Sequence, residues 1–226
     1  MSGNPLIVAA DLSDPAQAEV LAKQLSGLVA FMKVGLTLFT AGGRGVVRRI
    51  RAHCPVFLDL KLHDIPFQVR GAAANLGKLG AGLLTVHALG GMEMVTAAVQ
   101  ASAEGAGEAG VDAPAILAVT VLSSLAGEGL AAPASLAYEA ISAGAAGVVV
   151  SGGDVGAVRE ALGPEPILVV PGIRPHGHGL DDQVRVLTPG EALELGADYI
   201  VVGRPVTESD DPVAAARGVL REVGLE

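Results

Sequence analysis

Eight short apolar runs, at residues 5–10, 29–34, 56–62, 83–87, 115–121, 146–150, 166–170 and 198–202, punctuate the chain, each followed by a stretch able to form a helix. Eight alternating β and α segments in 226 residues predict a single (β/α)8 TIM barrel, an α/β fold with residues 1–226 as one catalytic domain. A doubly wound open sheet uses the same alternation, but eight units favour closure. Hydrophobic content of 50% with only 3% aromatics and 31 Gly suits buried parallel strands, packed helices and tight turns.

Helix starts are readable where Asp14 precedes Pro15 and Asp211 precedes Pro212. In the last helix Val213, Ala216, Leu220 and Val223 share a face. Residues Gly105 to Gly110 read as a surface loop leading into the fifth strand. The stretch from Pro171 to about Thr188 is too long for a simple connector and is expected to be a mobile active-site lid.

Fifteen Lys and Arg against 24 Asp and Glu give a net charge of −9, which argues against a role on nucleic acid or an anionic membrane. Cys54, the single cysteine, has no disulfide partner and no thiolate companions for a metal, so a reducing compartment and a buried small hydrophobe are expected. The N-terminus lacks the pattern of a signal peptide and no apolar run approaches the ~20 residues that span a bilayer. A soluble cytoplasmic protein is the expectation.

The third strand carries the strongest chemical signal. Val56, Leu58, Leu60 and Leu62 make one apolar face, which must meet the helices, so Phe57, Asp59 and Lys61 point into the barrel. The first strand ends at Asp11 and the second at Lys33. A lone charge at a strand end is ordinarily a surface residue, but three adjacent strands ending alike predict a mixed network of Asp11, Lys33, Asp59 and Lys61 at the C-terminal mouth, where barrel enzymes keep their chemistry. Asp64 lies beyond the strand in a turn closed by Pro66, where helix capping competes with a site role, and His63 reads as a packing or turn residue. A Lys between carboxylates keeps its ammonium form and is suited to donate a proton rather than to form a Schiff base. Carboxylates beside it would repel a substrate carboxylate and favour its departure as neutral CO2.

After the seventh strand comes Pro171-Gly172-Ile173-Arg174-Pro175, the following stretch holds Asp181-Asp182-Gln183, and the eighth strand ends at Gly203-Arg204. Loops in these places form the common phosphate cradle of such barrels, with the Gly203 amide, Arg174, Arg204 and Gln183 as donors. His176 and His178 flank Gly177 without a third ligand at metal spacing, so no metal is expected there. Ser151-Gly152-Gly153-Asp154 reads as a tight turn into a helix.

The run Asp59-Leu60-Lys61-Leu62-His63-Asp64-Ile65-Pro66 resembles the signature of the orotidine 5′-phosphate decarboxylase family. The resemblance extends over nearly the whole chain, through Val8 to Asp11, Lys33 to Gly35, Val86 to Ala88 with Gly90-Gly91, Val119 to Ser124, Pro171 to Pro175, Asp182-Gln183 and Val202 to Pro205. It implies conversion of orotidine 5′-monophosphate to uridine 5′-monophosphate and CO2 in pyrimidine synthesis, without metal or organic cofactor, by a homodimer whose sites are shared across the interface. Lys61 would protonate C6, with Asp59 and the partner's Asp64 flanking the leaving carboxylate and Lys33 linking Asp59 to the ribose side. Asp11 would bind ribose hydroxyls, Ser123 the pyrimidine edge, Ile65 and Gln68 the substrate from the stretch after Asp64, and Arg174, Gln183, Gly203 and Arg204 the phosphate. Where the family usually carries Asn-Thr this chain has Phe67-Gln68, which leaves Gln68 in the place of the Thr contact across the dimer, and Ser123 keeps the hydroxyl that many members present from Thr.

Two rivals share parts of this pattern. A Mg2+-dependent sugar-phosphate decarboxylase or aldolase of a related barrel would place an acidic metal ligand where Lys33 stands. A non-catalytic barrel that binds uridine 5′-monophosphate would have little need for Lys61 between two carboxylates.

Overall fold

The computed structural model describes residues 3–121, 132–176 and 187–226. Its strands are β1 (Leu6–Ala9), β2 (Phe31–Gly35), β3 (Val56–Leu62), β4 (Leu83–His87), β5 (Ala115–Val119), β6 (Gly147–Val149), β7 (Ile167–Val170) and β8 (Tyr199–Val202). All neighbours pair in parallel, and β8 pairs with β1 through Leu6↔Ile200, Ile7↔Val201 and Val8↔Val202. That last pairing closes the barrel and disposes of the open sheet. The helices among the described residues are α1 (Pro15–Gln24), α2 (Leu36–Arg51), α3 (Pro66–Gly77), α4 (Gly91–Ala109), α5 (Pro133–Ser142), α6 (Val155–Leu162), α7 (Pro189–Glu194), α8 (Arg204–Thr207) and α9 (Pro212–Glu222).

Strand alternation separates two cores. Ile7, Ala9, Phe57, Leu83, Leu117, Val119, Val149, Val169 and Val201 fill the barrel interior. Leu6, Val8, Met32, Val34, Val56, Leu58, Leu84 and Val86 face outward into the larger layer between strands and helices. Phe31 and Tyr199, at the starts of β2 and β8, pack edge to face with ring centres 5.6 Å apart and help fill the interior.

The expected helix starts are present. Asp14 accepts from the Ala16 amide at 2.8 Å and Asp211 from the Ala214 amide at 2.9 Å, each before a proline. Ser151 donates to Asp154 at 2.6 Å in a 3-10 turn that leads into α6. On α9, Ala216 and Leu220 are buried, joined by Val219.

The glycine-rich segment before β5 is not a loop. Residues 105–109 are the last turn and a half of α4, and only Gly110 adopts the left-handed conformation, with φ 66°, as the cap. The sequence reads as a turn because glycines mark turns, but here they permit contact between helices. A Cβ on Gly105 would collide with the Ala74 carbonyl oxygen of α3, and one on Gly77 with that of Ser102 on α4. The small residues let the two backbones touch.

The expected lid lies mostly outside the described residues, as do Ser123, Gln183, Asp181, Asp182 and His178. Cys54 is buried as expected; its Sγ donates to the Ala22 carbonyl at 3.1 Å, and burial pushes its thiol up to about 11. Among the described residues, no helix is long and apolar enough to cross a membrane.

Candidate active site

A cavity of about 460 Å3 opens at the C-terminal ends of the strands. Asp11, Lys33 and Asp59 line one part of it, from β1, β2 and β3, and Arg174, Gly203 and Arg204 line another, after β7 and β8. Phe57 and Val201 of the inner core form its floor.

The four charges expected at the mouth form one network. The Lys33 ammonium stands 3.0 Å from Asp11 Oδ1 and 3.4 Å from Asp59 Oδ2, and the Lys61 ammonium donates to the same Asp59 Oδ2 at 2.7 Å. Asp59 Oδ2 is therefore the shared ion-pair partner of two lysines and accepts a hydrogen bond from Lys61. Parallel register explains the meeting, because Ala9 pairs with Lys33 and Gly35 with Asp59, which aligns the three strand ends. Gly35 matters at that level: a Cβ there would stand 2.9 Å from Asp11 Oδ1 and 3.1 Å from Lys33 Nζ. Burial would raise the Asp59 carboxyl, but the charges of Lys33 and Lys61 with hydrogen bonds from Lys61 and Thr85 outweigh it and hold the group below its ordinary value. Asp59 remains ionised at neutral pH.

Lys61 is reached by an irregular strand. Leu58 pairs with Leu84, but the next pair is Leu62 with Val86, so β3 spends four residues where β4 spends two. Lys61 takes φ 50°, the only positive value at a non-glycine among the described residues. Such an irregularity re-aims a side chain at a barrel rim.

Two polar residues to which sequence reading gave no role lie beside this network. Thr85 is fully buried; it donates to Asp59 Oδ1 at 3.0 Å and accepts from the Lys61 amide at 2.8 Å. His87 is buried at the end of β4 and stacks on His63 with ring centres 5.2 Å apart. Its Nδ1 accepts from the Leu89 amide at 3.3 Å, which leaves Nε2 to carry the proton of the neutral ring. Burial, then the charges of His63 and Lys61, depress its basicity. Alternation on β4 was the available signal, since Leu83, Thr85 and His87 follow one another on the inward face.

Asp64, Ile65 and Gln68 are exposed and do not line the cavity of their own chain. Asp64 Oδ1 accepts from the Ile65 amide at 2.7 Å, but the N-cap of α3 is Ile65 and no side chain caps that helix, so Asp64 does not take up the capping role weighed for it. Ile65 and Phe67 are large apolar side chains left 62% and 78% exposed. Leu89 and Met92, beside the start of α4, are also exposed.

The described residues contain no group of three His, Cys, Asp or Glu that could hold a metal ion. What the arrangement offers is an ammonium clamped by a carboxylate at one end of the cavity and two guanidinium groups at the other.

Comparison with known proteins points the same way. The family model described as "Orotidine 5'-phosphate decarboxylase / HUMPS family" matches residues 4–219. Orotidine 5′-phosphate decarboxylase of Anaeromyxobacter sp. (strain K) is 49% identical over 225 residues, 95% of this chain and 96% of that protein. The same enzyme of Moorella thermoacetica is 46% identical over 97% of this chain and 92% of that one. The crystal structure of orotidine 5′-phosphate decarboxylase from Lactobacillus acidophilus superposes with a TM-score of 0.82 at 36% identity, covering 98% of this chain and all of that one.

Proposed function

Because the chain belongs to the orotidine 5′-phosphate decarboxylase / HUMPS family, we propose that it converts orotidine 5′-monophosphate to uridine 5′-monophosphate and CO2, with Lys61 as the proton donor. The observation that carries the assignment of roles is the Lys33–Asp59–Lys61 array, in which one ionised carboxylate pairs with two ammonium groups, Lys33 and Asp59 lining a cavity that Arg174 and Arg204 also line.

The substrate's phosphate dianion pairs with Arg174, Arg204 and the Gly203 amide, and Gln183 joins them. Its ribose hydroxyls meet Asp11 and Lys33, and the base reaches Asp59 and Lys61. The Asp59 carboxylate then lies against the substrate carboxylate, so like charges oppose each other in the ground state and that repulsion ends when CO2 departs. The C6–carboxyl bond breaks, its electron pair stays at C6, and the Lys61 ammonium delivers a proton there. Solvent reprotonates the amine, since the Lys61 side chain is about a third exposed (32%). Phosphate binding remote from C6 contributes energy that is realised at the reacting end.

The working unit is a cytoplasmic homodimer of one-domain barrels. Support comes from the exposed Ile65, Phe67, Leu89 and Met92 at the starts of the adjoining helices α3 and α4, apolar surface that a monomer would leave in water next to its site. Asp64, Ile65 and Gln68 stand on that surface and reach the partner's cavity, where Asp64 completes the carboxylate pair around Lys61 and Ser123 holds the pyrimidine edge.

Adding orotidine 5′-monophosphate to purified protein should bring loss of its ultraviolet absorbance in step with CO2 release, undiminished by EDTA. Loss of activity in EDTA restored by Mg2+ would favour the metal-dependent sugar-phosphate enzyme. Folded protein that binds uridine 5′-monophosphate and turns nothing over would be the sensor.

A further inference from the structure

Lys61 occupies a backbone conformation that an L-residue avoids, and it does so where β3 has lost register with β4. The irregularity leaves the Lys61 N–H without a regular place in the ladder, and the Thr85 hydroxyl accepts it at 2.8 Å. A Thr hydroxyl has one proton to give. With its oxygen accepting from Lys61, that proton goes to Asp59 Oδ1 at 3.0 Å, while Asp59 Oδ2 accepts from the Lys61 ammonium at 2.7 Å. The bonds form a closed ring: Lys61 backbone to Thr85, Thr85 to Asp59, Asp59 to the end of the Lys61 side chain. Both ends of the proposed proton donor are held by groups that Thr85 orients.

We propose that Thr85 is a positioning residue for decarboxylation, acting through Lys61 and Asp59 without touching the substrate, and this rests on the reaction assigned above. Its complete burial on the inward face of β4 gives the hydroxyl one use, and apolar side chains of similar shape would fill the space equally well. A packing role would need the methyl alone. The charged groups around Asp59 are Lys33 on β2, with Asp11 of the β1 end beyond it, Lys61 on β3, and His87 at the end of β4 beside Lys61. Of the hydrogen bonds that lower the Asp59 carboxyl, that from Thr85 alone comes from a neutral donor, so its loss leaves the surrounding charges in place.

The test compares Thr85→Val, which keeps shape and removes the hydroxyl, with Thr85→Ser, which keeps the hydroxyl and removes the methyl. Thr85→Val should lose roughly 10- to 100-fold in kcat with a smaller change in KM, the size of a hydrogen bond to a charged group. The acid limb of its kcat/KM profile should move to higher pH, because Asp59 has lost a donor. Thr85→Ser should restore both. If Thr85→Val proves unstable, Thr85→Ala must show the same acid-limb shift. Wild-type kcat and an unmoved acid limb in Thr85→Val would overturn the proposal, as would Thr85→Ser failing as badly as Thr85→Val. Carbon-13 NMR titration of the Asp59 carboxyl, without substrate, separates this inference from the reaction it rests on. An upward shift in Thr85→Val is expected even should the wild type prove inactive, and no shift would refute the positioning role on its own.

Discussion

Asp59 concentrates most of what the individual residues contribute. Its carboxylate is buried between two ammonium groups, so removing either its charge or a partner leaves an uncompensated buried ion. Lys61→Ala should lower kcat by at least about 10²–10⁴-fold, the range of a general acid, while uridine 5′-monophosphate binding measured by calorimetry survives through the arginine end. The pH behaviour follows from sign. Asp59 is held below its ordinary value, so its stabilising contribution is complete above the unfolded value of about 3.9 and is lost as pH falls through the lower folded one. Urea unfolding should show Asp59→Asn less stable than wild type at neutral pH, with the gap narrowing in strong acid. His87 is also depressed, so its neutral ring stabilises the fold above about pH 6.5 and that contribution fades as pH falls below it.

At the scale of elements, the pair α3 and α4 shows what the fold asks of a helix surface. Gly77 and Gly105 each face a carbonyl oxygen of the other helix at a distance that admits no Cβ. Gly77→Ala or Gly105→Ala should therefore destabilise by about 1–3 kcal/mol, read from denaturant midpoints, although alanine is the better helix former. Activity should fall with stability and no further, because neither residue lines the cavity. The misreading of residues 105–110 as a loop has the same origin: glycine is locally a turn former, and only the neighbouring helix reveals it as a contact surface. Strand β3 presents the opposite case. Its period of two placed Asp59 and Lys61 inward correctly, yet gave no sign that Lys61 gets there through a register shift and a positive φ.

At the scale of the whole molecule, the barrel brings β1 to β3 and the ends of β6 to β8 around one cavity, and the starts of the helices that follow β3 and β4 carry apolar side chains into solvent. Phe67→Asp should leave the barrel folded but yield monomer by analytical ultracentrifugation, with activity lost at concentrations where the wild type is dimeric. Mixing Lys61→Ala with Asp64→Asn subunits should restore one working site per heterodimer. Exchanged mixtures that regain no activity would show that each site is built within one chain.

Local pattern carried much of this. Hydrophobic periodicity laid out eight strands within a residue or two of their ends, and alternation with strand ends assembled Asp11, Lys33, Asp59 and Lys61, because side-chain direction in a strand is a property of the chain itself. Chemistry that depends on a neighbouring strand was not legible in that way. That β8 closes on β1, that Gly35 clears room for two charges, and that Thr85 holds both the backbone of Lys61 and the carboxylate of Asp59 are facts of register between segments. A single strand states which way its side chains point. Only the closed barrel decides which of them meet.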